Sequence, residues 1–501
     1  KAAHDVAIQG VTLQTPGSSS PTVGGISIWA DSDGNGAGRI STTTACINTI
    51  GTCSSPANSG GAQIVFGGGV SADVSGNFPT GSVKSSDAGV GIAFGSGNTG
   101  PKIWSGGGNI SVSSTSAGTN TFSGQFWRGG SHVHSGTGQI SLVNTADNSS
   151  VTAEQYGIYF TTETTGTSLA PITLTSNRSS GRGISVNSDN KGNNAFSVAI
   201  RSYSTSTAVR TTFQAPSGGD IFMEATTAGN HSFTMSNTDI LASSGNIMLR
   251  GDKSLYIDEY LNSTVNIGAT ASGSATGNIV LQVGRHAWNG SGTSSYKTSG
   301  ALTFEPYDTS FIASTNFPIG KQTLASTISR LTVGSATNTA DVSTRSNFSI
   351  AGPITYTGGN QNVLFNVSST NSGDITFAPS GSFTQTARIS SSGAVSILGS
   401  GSVTVSATTI RASETVTVRA GSGSTFTSTG AVEAGESTSV TADRVAISSS
   451  FVARDSIDFT PRTSGTSIRV ASTSDGSSLT LLPAALGQIS TSTLRLNTNA
   501  N

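Results

Sequence analysis

The chain has 501 residues and a formal net charge of −1, and only 10% of its residues are charged, against roughly 25% in an ordinary soluble domain. Lys and Arg total 25, too few for the basic surface that a phosphate backbone requires, and no run of 18 apolar residues occurs, so we expect neither a nucleic-acid partner nor membrane insertion. Gly and Pro, 63 and 13 residues, stay well below the roughly 25–30% typical of disordered chains, which favours a folded protein.

Residues 1–60 are predicted to form an amino-terminal cap or decorated first section. They contain the only two cysteines of the chain, Cys46 and Cys53. An isolated pair with this spacing lacks the second pair that a zinc site requires, which favours a small loop-closing disulfide and therefore an oxidising compartment. Two buried thiols are the alternative.

The same section contains an acidic loop. Asp31, Asp33 and Asn35 place side-chain oxygens at alternate positions, and Gly36 permits a sharp turn, as in the first half of a calcium-binding loop. The twelfth position is Thr42 and not the Glu of an EF-hand, so the pattern predicts at most a looser calcium turn. A hairpin turn rich in Asp, Asn and Gly is the alternative, and no cofactor other than calcium is expected.

A short phrase recurs through most of the chain. It consists of a Gly, a small or amide residue, an aliphatic residue, a spacer and a second apolar residue. Gly and Asn suit a tight corner, and the apolar-x-apolar alternation then directs two side chains to one face of a short strand. The phrase occurs in shortened form at 25–28 and in full at 108–112, 138–142, 219–223, 245–249, 277–281, 300–304, 373–377, 393–397 and 401–405.

Several of these copies are separated by about 20 residues, a period typical of repeat architectures, for example Gly373 and Gly393. A unit of that length with three short strands predicts one rung of an all-β parallel β-helix, and longer gaps predict rungs that carry loop insertions. We therefore expect a β-solenoid with insertions over 61–385, the most regular rungs over 386–460, and terminal rungs with a docking or cap segment over 461–501. A string of β-sandwich domains is the alternative.

Ser and Thr total 156 residues, and a solenoid explains both their number and the scarcity of charges. Short hydroxyl side chains can form ladders along the stack, whereas like charges placed rung over rung would repel each other.

Candidate chemistry along the solenoid is sparse. His132 and His134 lie on one face of a predicted strand, which suits either a metal pair or a structural role. No catalytic residue is predicted, because the carboxylates are scattered. The best candidates for a groove, if the fold were enzymatic, are Glu224, Asp258, Glu259, Glu305 and Asp308.

An aromatic group in the insertion-rich section could stack against carbohydrate. It comprises Tyr256, Tyr260, Trp288 and Tyr296. Aromatic faces of this kind suit the apolar side of a sugar ring. Loop packing is the alternative role.

The Gly-Asn-Ile-x-Leu type of phrase, as at 245–249, resembles the repeats of filamentous-haemagglutinin-like exoproteins, the secreted adhesins of two-partner secretion systems. The resemblance implies a right-handed parallel β-helix that is secreted and projects from a bacterial cell surface. The Asn-Pro-Asn-Leu and Asn-Pro-Asn-Gly signatures of the family's secretion domain do not occur here.

Together these features predict a non-enzymatic structural or adhesive fibre component that associates with itself and contacts host or matrix glycans. A carbohydrate-active or carbohydrate-binding β-helix of the tailspike or lyase kind is the alternative function.

Overall fold

The computed structural model describes most of the chain in two compact units, Lys1–Thr298 and Ser299–Asn501. The described residues are 2, 4–15, 25–33, 38–52, 54–72, 79–85, 90–116, 124–146, 155–162, 170–190, 195–202, 209–258, 263–269, 275–289, 292–371, 373–406, 408–474 and 476–498. Within them the structure is almost entirely β-strand, with one short helix, Pro483–Leu486. No helix in these ranges has the length and apolarity needed to cross a bilayer.

The first unit, Lys1–Thr298, contains three ladders of parallel strands, and successive stretches of the chain visit each ladder in turn. Ladder a contains Ile26–Ala30, Ile64–Ala72, Ile110–Ser116, Ile140–Ala146, Arg182–Asn190, Asp220–Thr227 and the first parts of Ile247–Asp258 and Ile279–Asn289. Ladder b contains Val6–Gln9, Ile40–Thr43, Ile92–Phe94, Gln125–Arg128, Gln155–Thr162, Ala195–Ser202, His231–Met235 and the second parts of the same two long strands. Ladder c contains Thr12–Gln14, Cys46–Asn48, Lys102–Trp104, His132–His134, Ile172–Thr175, Thr211–Ala215, Thr238–Ala242, Thr264–Gly268 and Thr293–Lys297.

Four short strands decorate these ladders. Pro79–Gly81 pairs antiparallel with Ile64–Ala72, and Val83–Ser85 runs parallel to Ile110–Ser116. Gly51–Thr52 and Ser55–Pro56 form a small antiparallel hairpin.

The second unit, Ser299–Asn501, repeats the three-ladder plan. Ladder d contains Ala301–Glu305, Arg330–Gly334, Ile354–Thr357, Ile375–Ala378, Val395–Leu398, Val416–Arg419, Thr438–Thr441, Ser456–Thr460 and Thr493–Leu496. Ladder e contains Thr315–Asn316, Val342–Thr344, Gln361–Val363, Phe383–Gln385, Val403–Val405, Thr425–Ser428 and Arg444–Ile447. Ladder f contains Phe348–Ile350, Val367–Ser369, Ile389–Ser391, Ile410–Ala412, Val432–Ala434, Phe451–Ala453 and Ile489–Ser490. Gln322–Leu324 is a further strand, and Ile468–Val470 pairs parallel with Leu479–Leu481.

The interior of each unit consists of apolar side chains stacked in register. The aliphatic position of the phrase forms one such column in ladder a, and every member from Ile64 onward is at most 1% exposed. The column is Ile26, Ile64, Ile110, Ile140, Ile184, Ile221, Ile247 and Ile279. The predicted all-β parallel β-solenoid is confirmed. The copies of the phrase lie in ladders a and d, except the copy at 401–405, whose strand Val403–Val405 belongs to ladder e.

Rung length differs between the two units. In ladder d of the second unit, Ile354 pairs in register with Ile375, and Ile375 pairs with Val395, so each rung has the short length that the phrase predicts. In ladder a of the first unit, Ile110 pairs with Ile140, and Ile140 pairs with Ile184, so each rung takes up a longer stretch of chain. The first unit therefore has longer connections between its strands than the second.

The glycine of the phrase lies where successive rungs approach most closely. A Cβ atom on Gly245 would overlap the carbonyl oxygen of Gly219, and one on Gly277 would overlap the carbonyl oxygen of Gly245. The overlapping atoms belong to the backbone. Moving either backbone away to make room for a Cβ atom would break the hydrogen bonds between the two rungs. This steric limit explains why the corner requires Gly.

The amide position of the phrase joins consecutive rungs. The Oδ1 of Asp220 accepts a hydrogen bond from the backbone N–H of Asn246 at 2.7 Å, and the Oδ1 of Asn246 accepts one from the N–H of Asn278 at 3.0 Å. Asp374 plays the same role toward Ala394 in the second unit, at 2.9 Å. Each such side chain satisfies a backbone donor at the start of the next rung.

We expect Gly245→Ala to lower the stability of the first unit by about 1–3 kcal/mol, because the added methyl group overpacks a corner whose neighbour is backbone. The thermal unfolding midpoint, followed by circular dichroism, measures the effect. Gly487→Ala is the matched control, since Gly487 has φ −66° and its nearest contact to an added Cβ is 3.6 Å. Equal midpoints for the two variants would contradict the steric explanation.

Candidate binding pocket

The outer face of ladder c carries an unusual set of side chains in the first unit. The strands Lys102–Trp104 and His132–His134 each have an apolar central residue, Ile103 or Val133, that is buried in the interior. Because side chains alternate along a strand, the flanking residues point to the outer face. Register places Lys102 beside His132 and Trp104 beside His134.

These side chains line an open pocket of about 270 Å³. The next strand contributes threonine hydroxyls, and the hairpin that follows Cys46–Asn48 forms one edge. The lining residues are Ser54, Pro56, Lys102, Trp104, His132, Val133, His134, Thr173 and Thr175. These described residues supply one ammonium, two imidazoles, three hydroxyls and an indole, and none of them is a carboxylate.

His134 is held in place by its surroundings. Its Nδ1 accepts a hydrogen bond from the backbone N–H of Gly136 at 3.2 Å, and its Nε2 lies 3.4 Å from the side-chain amide of Asn177. Asn177 in turn donates to Asn58 Oδ1 at 2.8 Å. Burial lowers the pKa of His134, and an Nδ1 that accepts a hydrogen bond carries no proton, so this imidazole is neutral at pH 7.

His132 lies between Lys102 and Thr173 in the register of ladder c. Burial, and then the positive charge of Lys102, lower the pKa of His132. The Lys102 ammonium lies 5.6 Å from the centroid of the Trp104 ring, within the range of a cation–π contact. Trp104 is only 6% exposed, so its ring forms the base of the pocket.

The predicted features of residues 1–60 are only partly within the described residues. Cys46 is buried and disulfide-bonded, and Cys53, the other cysteine of the chain, lies outside the described residues. Asp31 is 3% exposed with φ 52°, whereas Asp33 is exposed. Asn35 lies outside the described residues, so the calcium turn stays a prediction.

The predicted aromatic patch is not a single surface. Tyr296 is fully buried, and its hydroxyl lies 3.5 Å from His286 Nε2, so it is a core residue and its assignment to a sugar-stacking surface is corrected. Tyr256 is half-buried and its ring lies 4.6 Å from that of His231. Trp288 pairs in register with Ile257, but its side chain, like the whole of Tyr260, lies outside the described residues.

Neither a metal cluster nor a carboxylate pair emerges from the other candidates. Within the ranges that the structure describes, no three His, Cys, Asp or Glu side chains form a group suited to a metal ion. Glu224 pairs with Arg250 at 2.7 Å, and Glu305 and Asp308 belong to the second unit. The side chains of Asp258 and Glu259 are not described.

The sequence did not reveal an aromatic stack on the outer face of ladder b. Its rings contact one another with centroids 4.4 to 5.5 Å apart. Tyr156 and Tyr159 stack within one strand, and the other contacts join neighbouring rungs. Such contacts add to the stability of a parallel stack. The rings belong to Phe126, Tyr159, Tyr156, Phe196, His231 and Tyr256. Aligning the sequences of successive rungs by their buried positions would have predicted that these rings lie close together.

No protein family, curated protein or solved structure matches this chain. The resemblance to filamentous-haemagglutinin-like repeats therefore stays a prediction, and function is inferred from the pocket and the ladders.

We expect His286→Leu to reduce the loss of stability that the first unit undergoes as the pH falls. Burial lowers the pKa of His286 from 6.5 to about 3, so between these values the unfolded chain binds a proton that the folded core does not. Stability is therefore lost as the pH falls from about 6.5 toward 3. Residue 286 pairs in register with Leu255, so a leucine at this position would pack against Leu255 in the interior.

Thermal midpoints measured from pH 7 to pH 4 test this expectation. The wild-type midpoint should fall more steeply than that of the leucine variant over this range. Parallel pH profiles would show that His286 does not contribute.

Proposed function

We propose that the chain is a secreted, non-enzymatic structural and adhesive β-solenoid of a fibre on a bacterial cell surface, and that copies of the chain associate end to end. The observation that carries the proposal is the in-register stacking of the rungs, which ends on an exposed rung. A stack of hydrogen-bonded rungs is stiff along its axis and suits a structural role.

The strand Thr493–Leu496 of ladder d continues two interior columns, and no described strand of the chain covers it. Leu494 follows Ile457 and Leu496 follows Phe459 in register. Ile457 and Phe459 are fully buried, whereas Leu494 and Leu496 are 39% and 41% exposed. A further rung with apolar residues at alternate positions would bury both leucines.

The first strands of the chain offer the matching surface. Val6, Leu13 and Ile26 occupy interior positions of ladders b, c and a, and all three are only half-buried. A second copy that adds these strands to the exposed edge would extend the parallel ladders. A head-to-tail contact of this kind uses two different surfaces, so each added copy can bind a further one, and open filaments are one outcome of such contacts.

The runner-up function, cleavage of carbohydrate, has less support. Glycosidic hydrolysis uses two carboxylic groups that flank the bond, and no Asp or Glu occurs among the described residues that line the pocket on ladder c. A binding role for this pocket, by contrast, agrees with an adhesive fibre.

We expect the purified chain to form filaments, visible by negative-stain microscopy, and to show light scattering that grows with concentration. The double variant Leu494→Asp and Leu496→Asp should stay monomeric, because each new charge would be buried without a partner at the junction. Phe365→Asp is the control, since Phe365 is similarly exposed, at 38%, but lies outside the last rung. A wild-type chain that remains monomeric at every concentration would refute end-to-end association.

We also expect no release of reducing ends or unsaturated products when the chain is incubated with a panel of neutral and acidic polysaccharides. Reproducible cleavage that is lost on heat denaturation would replace the structural assignment with an enzymatic one. Size-exclusion chromatography of the polysaccharides and ultraviolet absorbance of the unsaturated products measure the two kinds of cleavage.

A further inference from the structure

The pocket on ladder c has the size of a site for one small ligand. Pockets for drug-sized ligands occupy roughly 300–1,000 Å³, and this one encloses about 270 Å³. A single sugar ring fits such a volume, whereas a long polysaccharide segment does not.

The charges of the pocket favour an anion. Among the described residues of the lining, Lys102 carries the ammonium, no Asp or Glu occurs, and the pKa values of His132 and His134 are lowered. An ammonium beside a partly enclosed cavity forms a strong, charge-assisted hydrogen bond with a carboxylate.

The remaining groups suit a polyhydroxylated ring. The hydroxyls of Ser54, Thr173 and Thr175 and the imidazole of His132 line the pocket, and groups of both kinds form hydrogen bonds. The Oγ1 of Thr175 also accepts a hydrogen bond from the side-chain amide of Gln214 at 2.7 Å. The Trp104 ring and Pro56 supply apolar surface for the C–H face of a sugar. A sugar ring uses both kinds of group, because its hydroxyls form hydrogen bonds and its C–H face packs on an apolar wall.

We propose that this pocket binds a single carboxylate-bearing sugar unit, with the Lys102 ammonium on the carboxylate and the ring between Trp104 and the hydroxyls. The proposal rests on the adhesive function proposed above and names the class of glycan that the fibre would hold. One site per chain gives weak binding to a single sugar unit, and a fibre with many copies would hold a surface by multivalency.

The first test compares methyl glucuronide with methyl glucoside, which differ only in the carboxylate, by saturation-transfer NMR and calorimetry on the full chain at pH 7. We expect the glucuronide to bind at least about tenfold more tightly, the ratio typical of one hydrogen bond to a charged group. Equal affinities, or no binding of either sugar at millimolar concentration, would overturn the proposal.

The second test locates the site. Lys102→Gln should lower the affinity for methyl glucuronide about tenfold and leave that for methyl glucoside unchanged. Lys321→Gln, at an exposed position of the second unit, is the matched control and should change neither. Glucuronide binding that survives in Lys102→Gln would place the ligand elsewhere and overturn the assignment.

A pH series adds a readout that mere loss of structure would not mimic. The groups that face His132 are Lys102 and Thr173 on the adjacent strands, His134 on its own strand and Ser54 on the hairpin. Burial, and then the charge of Lys102, lower the pKa of His132. Protonation of His132 in acid adds a positive charge beside the glucuronide carboxylate, so the affinity should rise as the pH falls below 7. His132→Gln should abolish this rise, and a rise that persists in the variant would contradict the role of His132.

The two proposals fail separately. Filaments without selective glucuronide binding would overturn the pocket assignment alone. Selective binding by a monomeric chain would overturn end-to-end association and leave the pocket assignment intact.

Discussion

The structure depends on the short distance between successive rungs, about 4.8 Å for strands joined by hydrogen bonds. At this distance the side chain at one position of a rung contacts the side chain at the equivalent position of the next rung. Each position therefore favours residues that can pack against a residue of the same kind. Interior positions carry Ile, Leu or Val, which pack on themselves in columns such as Ile110, Ile140 and Ile184. Corner positions carry Gly where the backbones of two rungs nearly touch, as at Gly245.

The same distance explains the scarcity of charges. Hydroxyls tolerate self-stacking, and Thr115 and Thr145 join their Oγ1 atoms at 3.0 Å across two rungs. Like charges in that relation would repel each other. Several charged residues instead pair in register with a residue of opposite sign on the next rung, as in Glu224 with Arg250, Arg411 with Glu433, and Asp458 with Arg495.

Much of the fold could be predicted from the sequence, because the rung phrase records both the steric limit at the corner and the alternation of the strand. The pocket could not, since it depends on which rungs become neighbours. Lys102, His132 and Thr173 lie far apart in the sequence, and only the register of ladder c places them side by side. The prediction for Tyr296 was wrong for a related reason, because the spacing of aromatic residues does not say which face of a strand they occupy.

The side-chain oxygens at the corners of the rungs accept hydrogen bonds from the rung that follows in the sequence. Asp220 holds the first backbone donor of the rung that begins at Asn246, and Asn246 does the same for the rung that begins at Asn278. The side-chain acceptor of the earlier rung thus binds the start of the later rung, while the backbone carbonyl oxygens of Asn246 and Asn278 accept hydrogen bonds from Ile221 and Ile247 of the earlier rungs. Folding that proceeds from the amino-terminal rungs would add one templated rung at a time, so a chain emerging in that order from a narrow channel would never have to expose more than one incomplete rung.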